Sequence, residues 1–128
     1  MTFELKVPIL GFEKIETVEI EKIDDIFMRL KSPEDENISF TLVDPFILRE
    51  YEFDIPTATQ ILLGITDSSN ILIYNIMVTQ SPIENSVINF IAPIVFNTDT
   101  QTAAQVILNN PIYGIAEPIN AFLSTGTS

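Results

Sequence analysis

The sequence predicts an all-β, mainly antiparallel domain: a small barrel or sandwich of about eight short strands with one short helix near residues 55–64. Three features of the chain point there. Apolar and polar residues alternate with a period of two in several short segments. Clusters of Pro, Asn, Asp and Ser punctuate those segments. The connections are too short for the crossover helices of a parallel sheet, except at the single helical stretch.

Residues 2–8 read as a half-buried strand, with Phe3, Leu5 and Val7 on one side and Glu4 and Lys6 on the other. Residues 15–23 repeat the alternation with a less clean phase. Residues 26–30 and 38–43 flank Ser32-Pro33-Glu34-Asp35-Glu36-Asn37, which predicts a hairpin with a long acidic turn. Asp44-Pro45-Phe46 ends its second strand. After Tyr51-Glu52-Phe53-Asp54, Asp54 reads as a helix cap, Pro56 as a first-turn residue and Gly64 as the stop; Ala58, Ile61, Leu62 and Ile65 form the apolar face. Further strands are expected at residues 70–79, 87–91, 94–97 and 105–108, with Pro93 marking a bulge or an edge. The strand around Ile71–Val78 belongs to the core on this reading; as an exposed edge it could add to a partner's strand.

The chain has 128 residues, 46% of them hydrophobic, enough for one domain with a real core. That domain is expected over residues 1–120, followed by a flexible C-terminal tail at 121–128. No apolar stretch approaches the roughly 20 residues of a membrane helix. The N-terminus lacks a basic stretch followed by an apolar run, so no signal peptide is expected and the reading is a cytoplasmic protein.

Charge is distributed unevenly. All six bases lie at or before Arg49, whereas the eighteen acids continue to Glu117, for a net charge of −12. Such a surface cannot hold nucleic acid, whose phosphates need Lys and Arg, and it repels anionic membranes. It favours basic protein partners. With no His and no Cys, the usual zinc, copper and haem ligand sets and the Ser-His-Asp or Cys-His pairs are out of reach. Four scattered glycines make no phosphate-cradling loop. No catalytic residue, metal ligand or cofactor is assigned. Asp24-Asp25 and Glu34-Asp35-Glu36 read as solvated turns, and Asn37-Ile38-Ser39 as a chance glycosylation sequon.

Asp44-Pro45-Phe46 together with the segment from Glu50 to Asp54 is the candidate contact region: Phe46, Glu50, Tyr51, Glu52, Phe53 and Asp54. Three aromatics interleaved with acids have the makeup of an interface anchor inside a charged rim. The alternative makes Phe46 and Phe53 core residues and Asp54 only a helix cap. Tyr51, between two acids, is the member expected at the surface.

The turns and strand ends, read in order, resemble the FliW family of flagellar assembly factors. The resemblance runs through Pro8-Ile9-Leu10-Gly11-Phe12-Glu13, Phe27-Met28-Arg29-Leu30-Lys31-Ser32, Phe40-Thr41-Leu42-Val43-Asp44-Pro45-Phe46 and Tyr51-Glu52-Phe53-Asp54. It is strongest at Val87-Ile88-Asn89-Phe90-Ile91-Ala92-Pro93-Ile94-Val95-Phe96-Asn97, and continues through Gln105-Val106-Ile107-Leu108-Asn109 to Tyr113, covering residues 3–119. It implies a small β-barrel without enzymatic activity that binds flagellin and, when free, captures the translational repressor CsrA. Where many members have a basic residue before Pro118, this chain has Glu117, so a cationic role is not carried over. The rival readings are a carboxylate-based enzyme or sugar-binding β domain, which needs two acids converging in a deep pocket, and a structural subunit of a larger assembly.

Overall fold

The structure, a computed structural model, describes residues 1–123; of the tail expected to be flexible over 121–128, residues 124–128 lie outside them. Strands β1 (Thr2–Val7), β2 (Thr17–Lys22), β3 (Phe27–Ser32) and β4 (Asp35–Val43) form an antiparallel meander. Two short helices follow, α1 (Pro45–Leu48) and α2 (Thr57–Leu63). Strands β5 (Ile71–Val78), β6 (Val87–Ile88), β7 (Ile94–Asn97), β8 (Thr102–Gln105) and β9 (Glu117–Pro118) complete the sheet before the helical turn α3 (Asn120–Leu123). Its neighbour order is β4-β3-β2-β1-β8-β7-β5-β6-β9, and β4 also pairs with β5. That extra pairing closes seven strands into a barrel, with β6 and β9 as an appended flap. Closure removes the open edges along which sheets aggregate.

Alternation places Phe3, Val18, Ile20, Leu30, Leu42 and Phe96 inside the barrel, where the Phe3 and Phe96 rings meet edge to face at 5.0 Å. A second cluster, around Val43, Tyr51, Met77, Ile88, Phe90, Tyr113 and Ile119, lies under the C-terminal segment. A third, around Leu63, Val95, Ala104 and Val106, lies under α2. The β1–β8 pair is parallel, an exception to the antiparallel pattern of the other pairings.

Several local expectations are corrected. The hairpin turn is short, with Ser32 already opposite Asp35, because Ser32 Oγ accepts the Glu34 N–H and the Glu34 carboxylate accepts the Thr17 N–H. The last expected barrel strand, at 105–108, sits three residues earlier, at Thr102–Gln105. Ala103 and Ala104 carry little strand propensity, but their small side chains let β8 fit between β1 and β7. The strand expected over 87–91 pairs as a ladder only at Val87–Ile88, because the Asn89 side chain turns back to accept the Ile91 N–H. Strand β5 is not an exposed edge: β4, β6 and β7 all pair with it.

Helix α2 ends as expected at Gly64, whose φ of 64° is the left-handed conformation glycine tolerates. Its face is different. Ile61 is 75% exposed and Leu62 is exposed, while Thr59 and Leu63 point at the barrel. The Leu63 carbonyl explains the rotation: it accepts from Asn97 Nδ2 (2.8 Å), Thr100 Oγ1 (2.9 Å) and Thr102 Oγ1 (3.3 Å). Three long-range donors on one carbonyl outweigh the apolar periodicity of a two-turn helix. Asp54 does not cap it, since the N-cap is Pro56 and no side chain bonds there. The residues expected to begin the tail instead form α3, where the Phe122 ring packs 5.3 Å from Phe90.

Candidate functional site

The segment 44–54 is shaped by its first two residues. Asp44 Oδ1 accepts the Phe46 N–H at 3.0 Å, and Pro45 supplies a helix-ready φ at the first position, so one turn of helix forms. The chain leaves it in an extended conformation at Arg49, and alternation from there sends Tyr51 inward and Glu50 and Glu52 outward.

Tyr51 is therefore not at the surface; it is 6% exposed. Its ring centroid lies 4.6 Å from Tyr113, 5.7 Å from Phe90 and 5.8 Å from both Phe46 and Phe53. Its hydroxyl donates to the Phe90 carbonyl at 2.6 Å and accepts from Asn75 Nδ2 at 3.2 Å, so burial leaves no polar atom of the phenol unpaired. Burial pushes its pKa from the ordinary value near 10 up to about 12. Phe46 is the reverse case, at 51% exposed, so it is not a core residue. Phe53 is half-buried, and Glu50, Glu52 and Asp54 are exposed.

Distant residues complete this region, and local sequence patterns could not reveal them. The Arg49 guanidinium lies 5.0 Å from the centroids of Phe90 and Tyr113 and 5.4 Å from Phe122. It donates to Glu117 Oε1 at 2.9 Å, with the two side chains only 20% and 24% exposed. Glu117 Oε2 accepts the Gly114 N–H at 2.6 Å. Glu117 thus neutralises the last base of the chain. The Tyr113 hydroxyl accepts the Glu52 N–H (2.9 Å) and donates to the Glu52 carbonyl (3.2 Å), fixing the segment from the other side.

Two clefts adjoin here. One, of about 610 Å3, is lined by Glu52, Phe53, Asp54, Leu108, Asn109 and Asn110. The other, of about 570 Å3, is lined by Arg49, Glu50, Tyr51, Glu52, Asn110, Ile112 and Tyr113. Glu52 and Asn110 belong to both. The structure thus brings five of the six sequence-predicted residues into one pair of clefts. Phe46 lies beside them through its contact with the Tyr51 ring. The three carboxylates form an exposed rim, whereas acid–base chemistry calls for a carboxylate held in a buried pocket. Among the described residues, no group of three or more Asp and Glu side chains converges as a metal cage. No helix among them is long and apolar enough to cross a membrane.

A third depression, of about 460 Å3, has the opposite character. Leu10, Phe12, Phe40, Ile76, Val78, Ile91, Ile107 and Ile115 line it, with Asn89 and Gln105 as its polar members. Gly11, at φ 90°, makes the turn that presents its two neighbours, leaving Leu10 74% exposed and setting the Phe12 ring 4.8 Å from Phe40. Gln105 Oε1 accepts the Leu10 N–H at 2.8 Å and pins the turn to β8. Sequence reading missed this groove because its side chains come from separate strands and loops, and no single window contains it.

Comparison with known proteins places these features in context. Residues 1–119 match the family described as FliW protein. The chain is 56% identical over 124 residues to the flagellar assembly factor FliW of Sulfurimonas denitrificans, covering 96% of this chain and 98% of that protein. It is 47% identical over 131 residues to the flagellar assembly factor FliW 2 of Wolinella succinogenes, covering 100% and 96%. A crystal structure of the flagellar assembly factor FliW superposes with a TM-score of 0.85 at 27% identity, covering 92% of this chain and 84% of that one.

Proposed function

This chain belongs to the FliW family, and from that premise we propose that it is a non-enzymatic flagellar assembly factor. It binds flagellin in the cytoplasm and, when free, binds and antagonises the translational repressor CsrA, coupling flagellin synthesis to export. The observation that carries this reading is the coexistence on one small barrel of an uncharged apolar groove and an acidic pair of clefts.

The groove suits an amphipathic helix, whose apolar face would cover Leu10, Phe12, Ile107 and Ile115. Flagellin's terminal segments, on the family resemblance, are helices of this kind. The clefts suit a basic protein. Glu50, Glu52 and Asp54 rim an aromatic floor, and the one base nearby, Arg49, is engaged by Glu117. An RNA-binding dimer such as CsrA displays Lys and Arg, so its approach is steered by a surface of net charge −12.

Titration calorimetry with monomeric flagellin and with CsrA tests this division. The double substitution Glu50→Lys and Glu52→Lys weakens CsrA binding by about tenfold or more and flagellin binding by less than about threefold. Equal losses for the two partners, or none, would remove the electrostatic assignment.

A further inference from the structure

Strand β5 changes neighbours partway along one side. Its pairing with β7 ends at Tyr74 opposite Ile94, and its pairing with β6 begins at Met77 opposite Ile88. Asn75 and Ile76 lie at the gap between these two ladders, where residues 89–93 leave the sheet. That excursion contributes to both candidate surfaces. Asn89, Ile91 and Ala92 line the groove, and the Phe90 ring packs on Tyr51 and Arg49, which line a cleft.

Asn75 is the polar member of an otherwise apolar row. Ile73, Asn75 and Met77 alternate onto one side of β5, and Ile73 and Met77 pack in the cluster that holds Tyr51 and Phe90. Asn75 itself is fully buried. Its amide spends both hydrogens across the gap: Nδ2 donates to the Asn89 carbonyl at 2.9 Å and to the Tyr51 hydroxyl at 3.2 Å. A carbonyl can only accept, so the Asn89 contact fixes which end of the amide is the nitrogen. Oδ1 then accepts nothing, and among the described residues it is the one buried side-chain polar atom without a partner. An orphaned buried acceptor costs stability, whereas an apolar side chain of similar size leaves none. Packing therefore does not explain an asparagine here; its two donated bonds do.

We propose that Asn75 is a positioning residue for both candidate surfaces, its amide setting the excursion that walls the groove and the tyrosine that walls the cleft. This rests on the reading of the groove and clefts given above. Toward the groove, the tethered Asn89 turns its Oδ1 onto the Ile91 N–H at 3.1 Å and so places the next lining residue. Toward the cleft, the Tyr51 hydroxyl accepts from Asn75 and donates to the Phe90 carbonyl at 2.6 Å, which fixes the ring in its plane. Asn75 lines neither surface, so it acts only through these neighbours.

The test is residue-resolved hydrogen exchange of the full chain, followed by titration calorimetry with monomeric flagellin and with CsrA. In the unaltered protein, the Asn75 side-chain amide protons exchange as slowly as the backbone amides of the β2–β3 ladder; rapid exchange overturns the proposal, even if no variant folds. In Asn75→Leu, the Phe90 and Ile91 amides exchange about tenfold faster or more, while those of the β2–β3 ladder stay within about twofold. Affinity for each partner then falls by about fivefold or more. Tyr51→Phe keeps the bond from Asn75 to Asn89, so Ile91 stays protected and only CsrA binding weakens. Faster exchange throughout the barrel in Asn75→Leu reduces Asn75 to a structural residue and overturns the proposal, as does unchanged exchange at Phe90 and Ile91. Local loosening with both affinities retained also overturns it. Failure of the unaltered protein to bind either partner overturns the two-surface reading, and with it the role given to Asn75.

Discussion

The apolar groove and the acidic clefts both border residues 107–115, yet they are assembled in opposite ways. The groove gathers Leu10 and Phe12, Phe40, Ile76 and Val78, Ile91, Ile107 and Ile115 from parts of the chain that only barrel closure brings together. The clefts take one wall from a continuous run, residues 49–54, and the other from residues 108–113. The groove offers surface that is costly to leave in water, so a partner gains by desolvation and the interaction is nearly indifferent to salt. The clefts offer exposed carboxylates over a buried aromatic floor, so their attraction is long-ranged and screened by salt. A protein built this way can distinguish two partners by different physical forces.

If the cleft floor is separate from the barrel interior, it can be broken by itself. Phe90 is fully buried and carries contacts to Tyr51, Arg49 and Phe122. Phe90→Ala is expected to cost about 3–5 kcal/mol in denaturant unfolding and to reduce binding at the clefts more than at the groove. Equal loss at both surfaces would show that the barrel and the cleft floor respond as one unit.

The floor is sharpened by its response to alkali. The Tyr51 phenol titrates near 10 when unfolded and about 12 when folded. Below pH 10 both states are protonated and it adds no pH dependence. Between about 10 and 12 the unfolded chain loses this proton first, so stability falls, by about 2–3 kcal/mol in all. Unfolding free energies of the original protein and Tyr51→Phe, measured across that window, should converge as pH rises. Parallel curves would show that the ring is not held away from water.

The groove predicts the smallest change in stability. Ile115 is exposed, so Ile115→Ser should shift the unfolding free energy by no more than about 0.5 kcal/mol while weakening helix binding in the groove severalfold. A melting temperature that drops sharply would mean Ile115 supports the fold rather than a partner.

How much of the candidate site was legible follows from the same contrast. The run from Glu50 to Asp54 could be singled out because acids and aromatics lie side by side there. The inward turn of Tyr51 could not, because it depends on Phe90, Asn75 and Tyr113, which lie 24 or more residues away. Arg49 and Glu117 are 68 residues apart, and only the fold makes them a pair. The strands followed a similar rule. Residues 2–7 and 71–78 stood out by their alternation or their β-branched content, whereas Thr102–Gln105 looked unlike a strand and became one by fitting between two others.

The order of residues was sufficient for the class of fold, the anionic surface and the glycine stop of α2, because alternation, charge and left-handed backbone are properties of short windows or of the chain's total. Closure of the barrel through β4 and β5, the rotation of α2 toward Leu63, the burial of Tyr51 and the assembly of the groove were decided by tertiary structure. Each of these depends on hydrogen bonds or packing between residues far apart in the chain, and such pairings acquire a definite energy only once the whole barrel has formed.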